Sequence, residues 1–145
     1  MLSNLWWLIP LAAMAAVASY QDIRYRKIPN GVVVVVALLG VFFVFQTGRF
    51  EQMLHPLMVL TFGAVLFYFN IVAAGDSKLL AAFSLMVSPN MMLLAVNVIF
   101  FAGGILAISQ CVLGRMTNNA EWTSNGVPYG VPICLGSLLG IAASL

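Results

Sequence analysis

Charged side chains are scarce in this sequence. Asp, Glu, Lys and Arg make up 7% of its 145 residues, whereas apolar residues make up 63%. A soluble domain ordinarily carries about 25% charged and about 45–50% apolar residues, and a short chain has too little interior to hide such an excess. The composition therefore disfavours a soluble enzyme, a nucleic-acid-binding protein and a disordered chain, and it favours a protein embedded in lipid.

Cysteine and histidine are rarer still, which narrows the possible metal and redox chemistry. Cys111 and Cys134 are the two cysteines, and they lie far apart without CxxC spacing. Their apolar surroundings predict two buried thiols rather than a disulfide or a metal site. His55, the single histidine, is interpreted as a side chain at the membrane interface. We therefore expect neither a metal nor a cofactor.

The few charged residues leave long uncharged stretches between them. A helix needs about 20 residues to cross a hydrocarbon layer of about 30 Å, and four of the stretches fit one crossing each. The stretch 79–114 is too long for one crossing, and Ser88-Pro89 interrupts it with a helix cap and a first-turn proline. An all-α membrane protein is predicted, with residues 1–145 forming a single domain. Its six transmembrane helices are expected at about 3–20, 31–46, 54–72, 76–87, 91–113 and 127–144.

The fourth predicted helix, 76–87, is shorter than the others. Twelve residues reach only about 18 Å, which is less than the thickness of the hydrocarbon layer. Its first residues, Gly75 and Asp76, are therefore expected near or inside the apolar layer.

The basic residues predict the orientation of the bundle. With six crossings, five of the six basic residues fall on one face: Arg24, Arg26, Lys27, Lys78 and Arg115. Arg49 alone falls on the other face. The positive-inside rule makes the first face cytoplasmic. Both termini then lie on the extracytoplasmic side of the cytoplasmic membrane. The longest connection, 114–126, is the candidate mobile element.

Two of the four acidic residues stand out by position. Asp22 ends the first predicted helix and Asp76 opens the fourth, so parity places both on the cytoplasmic face at similar depth. Ionisable groups at membrane depth are costly and usually functional. By contrast, Glu51 and Glu121 are interpreted as solvated loop charges.

The spacing alone leaves two interpretations of these acids open. In the first, Asp22 pairs with neighbouring basic residues as a headgroup anchor, and Asp76 caps its helix. In the second, the two carboxylates meet and share one proton. The ionised acid then accepts a proton from water, and the protonated acid donates to a substrate carbonyl. Gly75 would help by allowing close backbone approach beside the acid.

Three motifs resemble those of type IV prepilin peptidases. Asp22-Ile23-Arg24 followed by Lys27-Ile28-Pro29-Asn30 is similar to the first-acid motif of that family. The segment Ala74-Gly75-Asp76-Ser77-Lys78-Leu79-Leu80 resembles the family's second motif, usually written GxGD. The segment Val127-Pro128-Tyr129-Gly130 is similar to the start of the family's closing helix. The order of the motifs, the six-helix layout and the length also match, so the resemblance covers nearly the whole chain.

The resemblance implies an aspartyl endopeptidase with Asp22 and Asp76 as its catalytic pair and no metal or cofactor. Such enzymes remove the leader of prepilin-like substrates on the cytoplasmic side. The expected partners are the substrate helix and the lipid bilayer, not a nucleic acid. Gly75, Lys78 and Tyr129 are the expected supporting residues. Lys78 lies about 200° around the helix from Asp76, which also suits an interface anchor, and Tyr129 either donates a hydrogen bond near the site or packs in the membrane.

The sequence also departs from the family pattern. Ala73 replaces the first glycine of GxGD, and Pro132 follows the closing motif where small residues are commoner. Only nine residues, 22–30, join the first two predicted helices, with Asn30 as cap of the second. The resemblance therefore implies no N-methylation and a compact form similar to peptidases of tight-adherence (Flp) pilus systems. A small proton-coupled transporter and a non-catalytic pilus-assembly subunit of the same fold remain alternatives.

Overall fold

The computed structural model describes residues 6–117 and 126–145, and every regular element in these ranges is helical. A 3-10 helix, Phe50–Leu54, precedes the third α-helix. The α-helices are α1 (Leu8–Tyr25), α2 (Asn30–Thr47), α3 (His55–Tyr68), α4 (Ala74–Ser84), α5 (Pro89–Met116) and α6 (Gly130–Ser144). The predicted all-α class is confirmed.

The outer surface of the bundle is apolar. Three helical segments are long and apolar enough to cross a membrane, namely Asn30–Thr47, Phe50–Tyr68 and Pro89–Met116. Large side chains such as Leu38, Phe62 and Phe101 are exposed on them. Apolar area on this scale is incompatible with water as the only solvent. The chain is therefore a membrane protein.

The short helix α4 lies at the centre of the bundle. Its eleven residues reach only about 16 Å, and Leu79, Ala82 and Phe83 are buried against neighbouring helices. It packs against α2, α3 and α6, while α1 packs against α2 and α6 and α5 packs against α6. The predicted short fourth helix is thus present, and it begins two residues earlier than expected. Because its neighbours cover it, α4 can begin below the surface of the bundle.

Small residues allow the helices to approach closely. On α6, Gly136 and Gly140 face Ala95 of α5, and a Cβ atom on Gly140 would lie 2.8 Å from the Cβ atom of Ala95. On α2, a Cβ atom on Gly40 would lie 2.8 Å from the Cβ atom of Leu85. Small residues four apart are a common device in membrane helices, where packing rather than hydrophobic burial drives association.

The contact between α3 and α4 depends on Gly63. A Cβ atom at this position would lie 2.5 Å from Ser77 Oγ and 2.6 Å from Ser77 Cβ. We therefore expect Gly63→Ala to lower the free energy of unfolding by about 1–2 kcal/mol through overpacking. Thermal unfolding in detergent measures the effect, and Gly31→Ala is the control because no atom of the described residues lies within 4 Å of that added methyl group.

A second substitution makes this test specific to the contact. Ser77→Gly removes both atoms that the methyl group added at position 63 would meet, so it should cost less stability in the Gly63→Ala chain than in the wild-type chain. If Ser77→Gly lowers stability equally in both chains, this contact does not limit helix packing. The same conclusion would follow if the Gly63→Ala chain were as stable as the Gly31→Ala chain.

Hydrogen bonds identify which connections lie at each end of the bundle. At one end, Arg49 Nη1 donates to the carbonyl oxygen of Ser144 at 3.0 Å, and the backbone N–H of Ser88 donates to Ser144 Oγ at 2.9 Å. At the other end, Arg26 Nη1 donates to the carbonyl oxygen of Gly126 at 2.7 Å. The helices therefore alternate in direction, as the parity argument requires.

Several predicted boundaries were wrong near the first connection. Helix α1 continues to Tyr25, so Asp22 lies in its last turn, and residues 26–29 alone join α1 to α2. Arg26 ends the helix in a left-handed conformation (φ 53°), and its N–H donates to the carbonyl oxygen of Asp22. The N-cap of α2 is Pro29, not Asn30.

The two cysteines differ in their surroundings. Cys134 is buried, as predicted, but Cys111 is exposed on α5. The prediction for Cys111 was wrong because apolar sequence neighbours do not distinguish a lipid-facing position from a protein interior. Residues 118–125, which include Glu121 and most of the connection 114–126, lie outside the described residues.

Candidate active site

Both acids singled out by the sequence line one cavity at the α1–α2 end of the bundle. The cavity has a volume of about 460 Å³, and Asp22 of α1 and Asp76 of α4 both contribute to its wall. Each carboxylate-bearing residue is buried, with 6% of Asp22 and 7% of Asp76 exposed. Other side chains of the wall include Arg26, Lys27, Ile28, Asn30 and Lys78. The structure thus brings together two residues that are far apart in the sequence.

Asp22 is held by a backbone group from the last helix. The N–H of Gly130, at the start of α6, donates to Asp22 Oδ2 at 2.7 Å. Burial together with this bond does not fit a headgroup anchor, which would extend toward water. Sequence reasoning missed the role of Gly130, although the Pro-Tyr-Gly motif that contains it was noted.

Asp76 is positioned by the start of α4. The N-cap of this helix is Ala73, with extended backbone, and Asp76 lies in the first turn. The backbone N–H of Asp76 donates to the carbonyl oxygen of Ala73 at 3.1 Å. Asp76 is therefore not the cap itself, although an acid in the first turn is favoured by the helix dipole. Its position instead places it in the cavity wall.

Gly75 lines the cavity beside Asp76. A Cβ atom on Gly75 would lie 3.6 Å from Ile28 Cβ, which is an ordinary van der Waals distance. Within residues 6–117 and 126–145, no close backbone approach therefore requires a glycine there. The close approach occurs at Gly130, where a Cβ atom would lie 2.7 Å from Asp22 Oδ2.

Lys78 and Tyr129 occupy different surroundings. Lys78 is exposed and lines the same cavity as Asp76. Its two predicted roles, interface anchor and supporting residue of the site, stay predictions. Tyr129 packs against α5 instead, where a Cβ atom on Gly103 would lie 2.7 Å from Tyr129 Cε1. The hydrogen bond predicted for Tyr129 near the site stays a prediction.

The charges around the cavity determine what it can do chemically. Two carboxylates that lie within a few ångströms of each other do not both ionise cheaply, and such a pair shares one proton. Arg26, Lys27 and Lys78 add three positive charges to the wall. Among residues 6–117 and 126–145, no group of three or more His, Cys, Asp and Glu side chains could hold a metal ion. A pair of acids sharing one proton can activate water and protonate a carbonyl.

Comparison with known proteins adds one match. The model of the type IV leader peptidase family matches residues 9–108, a range that contains Asp22 and Asp76 and ends before α6. No curated protein and no solved structure matches the chain. The family match covers well over half of the 145 residues, so the chain belongs to the type IV leader peptidase family.

Proposed function

We propose that this protein is an aspartyl endopeptidase that removes the leader peptide of a type IV prepilin-like substrate, of the Flp type, at the cytoplasmic side of the cytoplasmic membrane. One observation carries the proposal: Asp22 and Asp76 enter the same cavity from two different helices. The membership of the leader peptidase family supports the substrate class.

In the proposed mechanism the pair of acids holds a single proton. The ionised carboxylate accepts a proton from water, and the resulting hydroxide attacks the scissile carbonyl carbon. The protonated carboxyl group donates its proton to the carbonyl oxygen. When the tetrahedral diol collapses, the first acid passes its proton to the leaving amine, and the second acid takes one back from a hydroxyl group of the diol. The pair then again holds a single proton. Either acid can take either role in this scheme.

The substrate and the membrane topology form part of the same proposal. We expect all six helices to cross the membrane, with both termini outside and the cavity facing the cytoplasm. The apolar stem of the substrate would then pack along the bundle and bring its scissile bond to the two acids. We propose cleavage alone, without N-methylation, because residues 26–29 form the whole connection between α1 and α2.

The direct test is co-expression of the chain with a type IV prepilin-like substrate. Loss of the leader, measured as a mass decrease of the substrate, is expected with the wild-type chain and not with an Asp22→Asn/Asp76→Asn double variant. Changed ion uptake without cleavage would support a transporter instead. Pilus assembly that needs the chain but shows no cleavage by it would support a non-catalytic subunit.

A further inference from the structure

The segment Gly126–Gly130, which leads into α6, contacts the end of α1 at Asp22 and at Arg26. The carbonyl oxygen of Gly126 accepts a 2.7 Å hydrogen bond from Arg26 Nη1. At the other end of the segment, the N–H of Gly130 donates to Asp22 Oδ2, also at 2.7 Å. These bonds join positions about a hundred residues apart in the chain.

The Gly130 contact leaves no room for a side chain. A Cβ atom at this position would lie 2.7 Å from Asp22 Oδ2 and 3.0 Å from both Asp22 Cβ and Asp22 Cγ. A hydrogen bond of this length from a buried N–H therefore requires glycine here. Because the donor is a backbone group at the start of a helix, its direction is fixed by α6 and not by a flexible side chain.

Arg26 connects the same turn of α1 to the segment. Its own N–H donates to the carbonyl oxygen of Asp22, which closes the last turn of the helix. Its guanidinium then reaches Gly126, so one residue joins the backbone of Asp22 to the beginning of the segment. A guanidinium donor forms a stronger hydrogen bond than a neutral group.

A third contact holds the segment against α5. The ring of Tyr129 lies on Gly103, where an added Cβ atom would come within 2.7 Å of Tyr129 Cε1. Tyr129 directly precedes Gly130, so this packing restrains the peptide group that carries the donating N–H. Three helices, α1, α5 and α6, thus determine where that donor lies.

We propose that the segment Gly126–Gly130 is a positioning element for Asp22. In this proposal the Gly130 N–H holds Oδ2, which leaves Oδ1 to exchange a proton with water or substrate in the cavity. Arg26 and Tyr129 keep the donor in place. The inference rests on the proposed function, since positioning matters only if Asp22 reacts. The family match ends at residue 108, so it assigns no role to this segment.

The test compares two matched pairs of variants in a cleavage assay with purified substrate. Gly130→Ala is expected to lower kcat about 10²-fold, because a displacement of a reacting group by about 1 Å has an effect of that size. KM should stay unchanged, because the variant moves Asp22 and not the substrate-binding surface. Gly104→Ala is the control, since its added methyl group has no atom within 4 Å in the part of the chain that the structure describes.

The second pair does not alter the packing around Gly130. Arg26→Gln removes the donor to Gly126 and is expected to lower kcat about tenfold, the scale of one charge-assisted hydrogen bond. Arg24→Gln removes the same charge from an exposed position in the last turn of α1 and should retain wild-type kcat. If Gly130→Ala fails to fold, as judged by thermal unfolding, this pair decides the question.

The outcomes separate this inference from the proposed function. Full cleavage by an Asp22→Asn variant would refute the proposed function, and the inference would fail with it. Loss of cleavage in Asp22→Asn together with wild-type kcat in folded Gly130→Ala and Arg26→Gln would overturn the positioning role alone. A loss in Gly130→Ala that appears in KM and not in kcat would also overturn it, because binding and not positioning would then have changed.

Discussion

Cleavage of a prepilin-like substrate is expected to fall by about 10²–10⁴-fold when either Asp22→Asn or Asp76→Asn is introduced, the range that general acid–base catalysis contributes. Asparagine keeps the shape of the side chain but neither accepts nor donates the proton that the reaction moves. Both residues are buried in the wall of one cavity, so bulk water is poorly placed to replace either one. The measurement is the rate of leader removal in membranes or detergent.

Two comparisons make this result specific. Glu51→Gln removes an acid from an exposed position in the 3-10 helix, next to Arg49 at the opposite end of the bundle, and should leave the rate unchanged. The double variant should be no slower than the slower single variant, because residues that act as a unit show non-additive losses. Wild-type processing by either folded single variant would end the two-acid mechanism.

Of the glycine-to-alanine substitutions proposed for this chain, Gly136→Ala is expected to destabilise the fold most. The added Cβ atom would lie 2.5 Å from Ile99 Cγ1, 2.8 Å from the carbonyl oxygen of Ala95 and 3.1 Å from the backbone nitrogen of Ile99. Two of these three atoms belong to the backbone of α5, which cannot rotate away. We expect a loss of about 3 kcal/mol, the upper part of the range for overpacking.

Thermal unfolding and the yield of folded protein in detergent measure this loss. Gly104→Ala is the matched control. It also lies on α5, no described residue comes within 4 Å of its added methyl group, and it should unfold at the wild-type temperature or above. If Gly136→Ala were as stable as this control, the close contact between α5 and α6 would not hold the bundle together.

The positions of the acids were predictable because charge is costly in lipid. Because the chain has few charged residues, each one marks a predicted end of a membrane helix. Counting the crossings between them placed Asp22 and Asp76 at the same end of the bundle, where the cavity is found. The short fourth helix followed from the same count. These predictions depend on composition and length, which a single sequence states directly.

The contacts that hold the acids were not predictable in the same way. The hydrogen bond from Gly130 to Asp22 joins residues 108 positions apart, and no local pattern encodes such a distance. The end of α1 was misplaced because the prediction stopped the helix where the charged residues begin, whereas the helix continues to Tyr25 and ends at Arg26 in a left-handed conformation. The prediction that Cys111 is buried was wrong because an apolar segment has the same sequence pattern whether it faces protein or lipid.

The central claim is that Asp22 and Asp76 lie within reach of each other in the membrane-embedded protein. We suggest an Asp22→Cys/Asp76→Cys chain, with Cys111→Ser and Cys134→Ser, treated in membranes with a short thiol cross-linker and digested for mass spectrometry. An Asp22→Cys/Ser88→Cys chain in the same background is the control, because Ser88 lies at the opposite end of the bundle. The account predicts a cross-link between positions 22 and 76 and none between 22 and 88. Failure of the first pair to cross-link, with both thiols accessible to a monofunctional reagent, would contradict it.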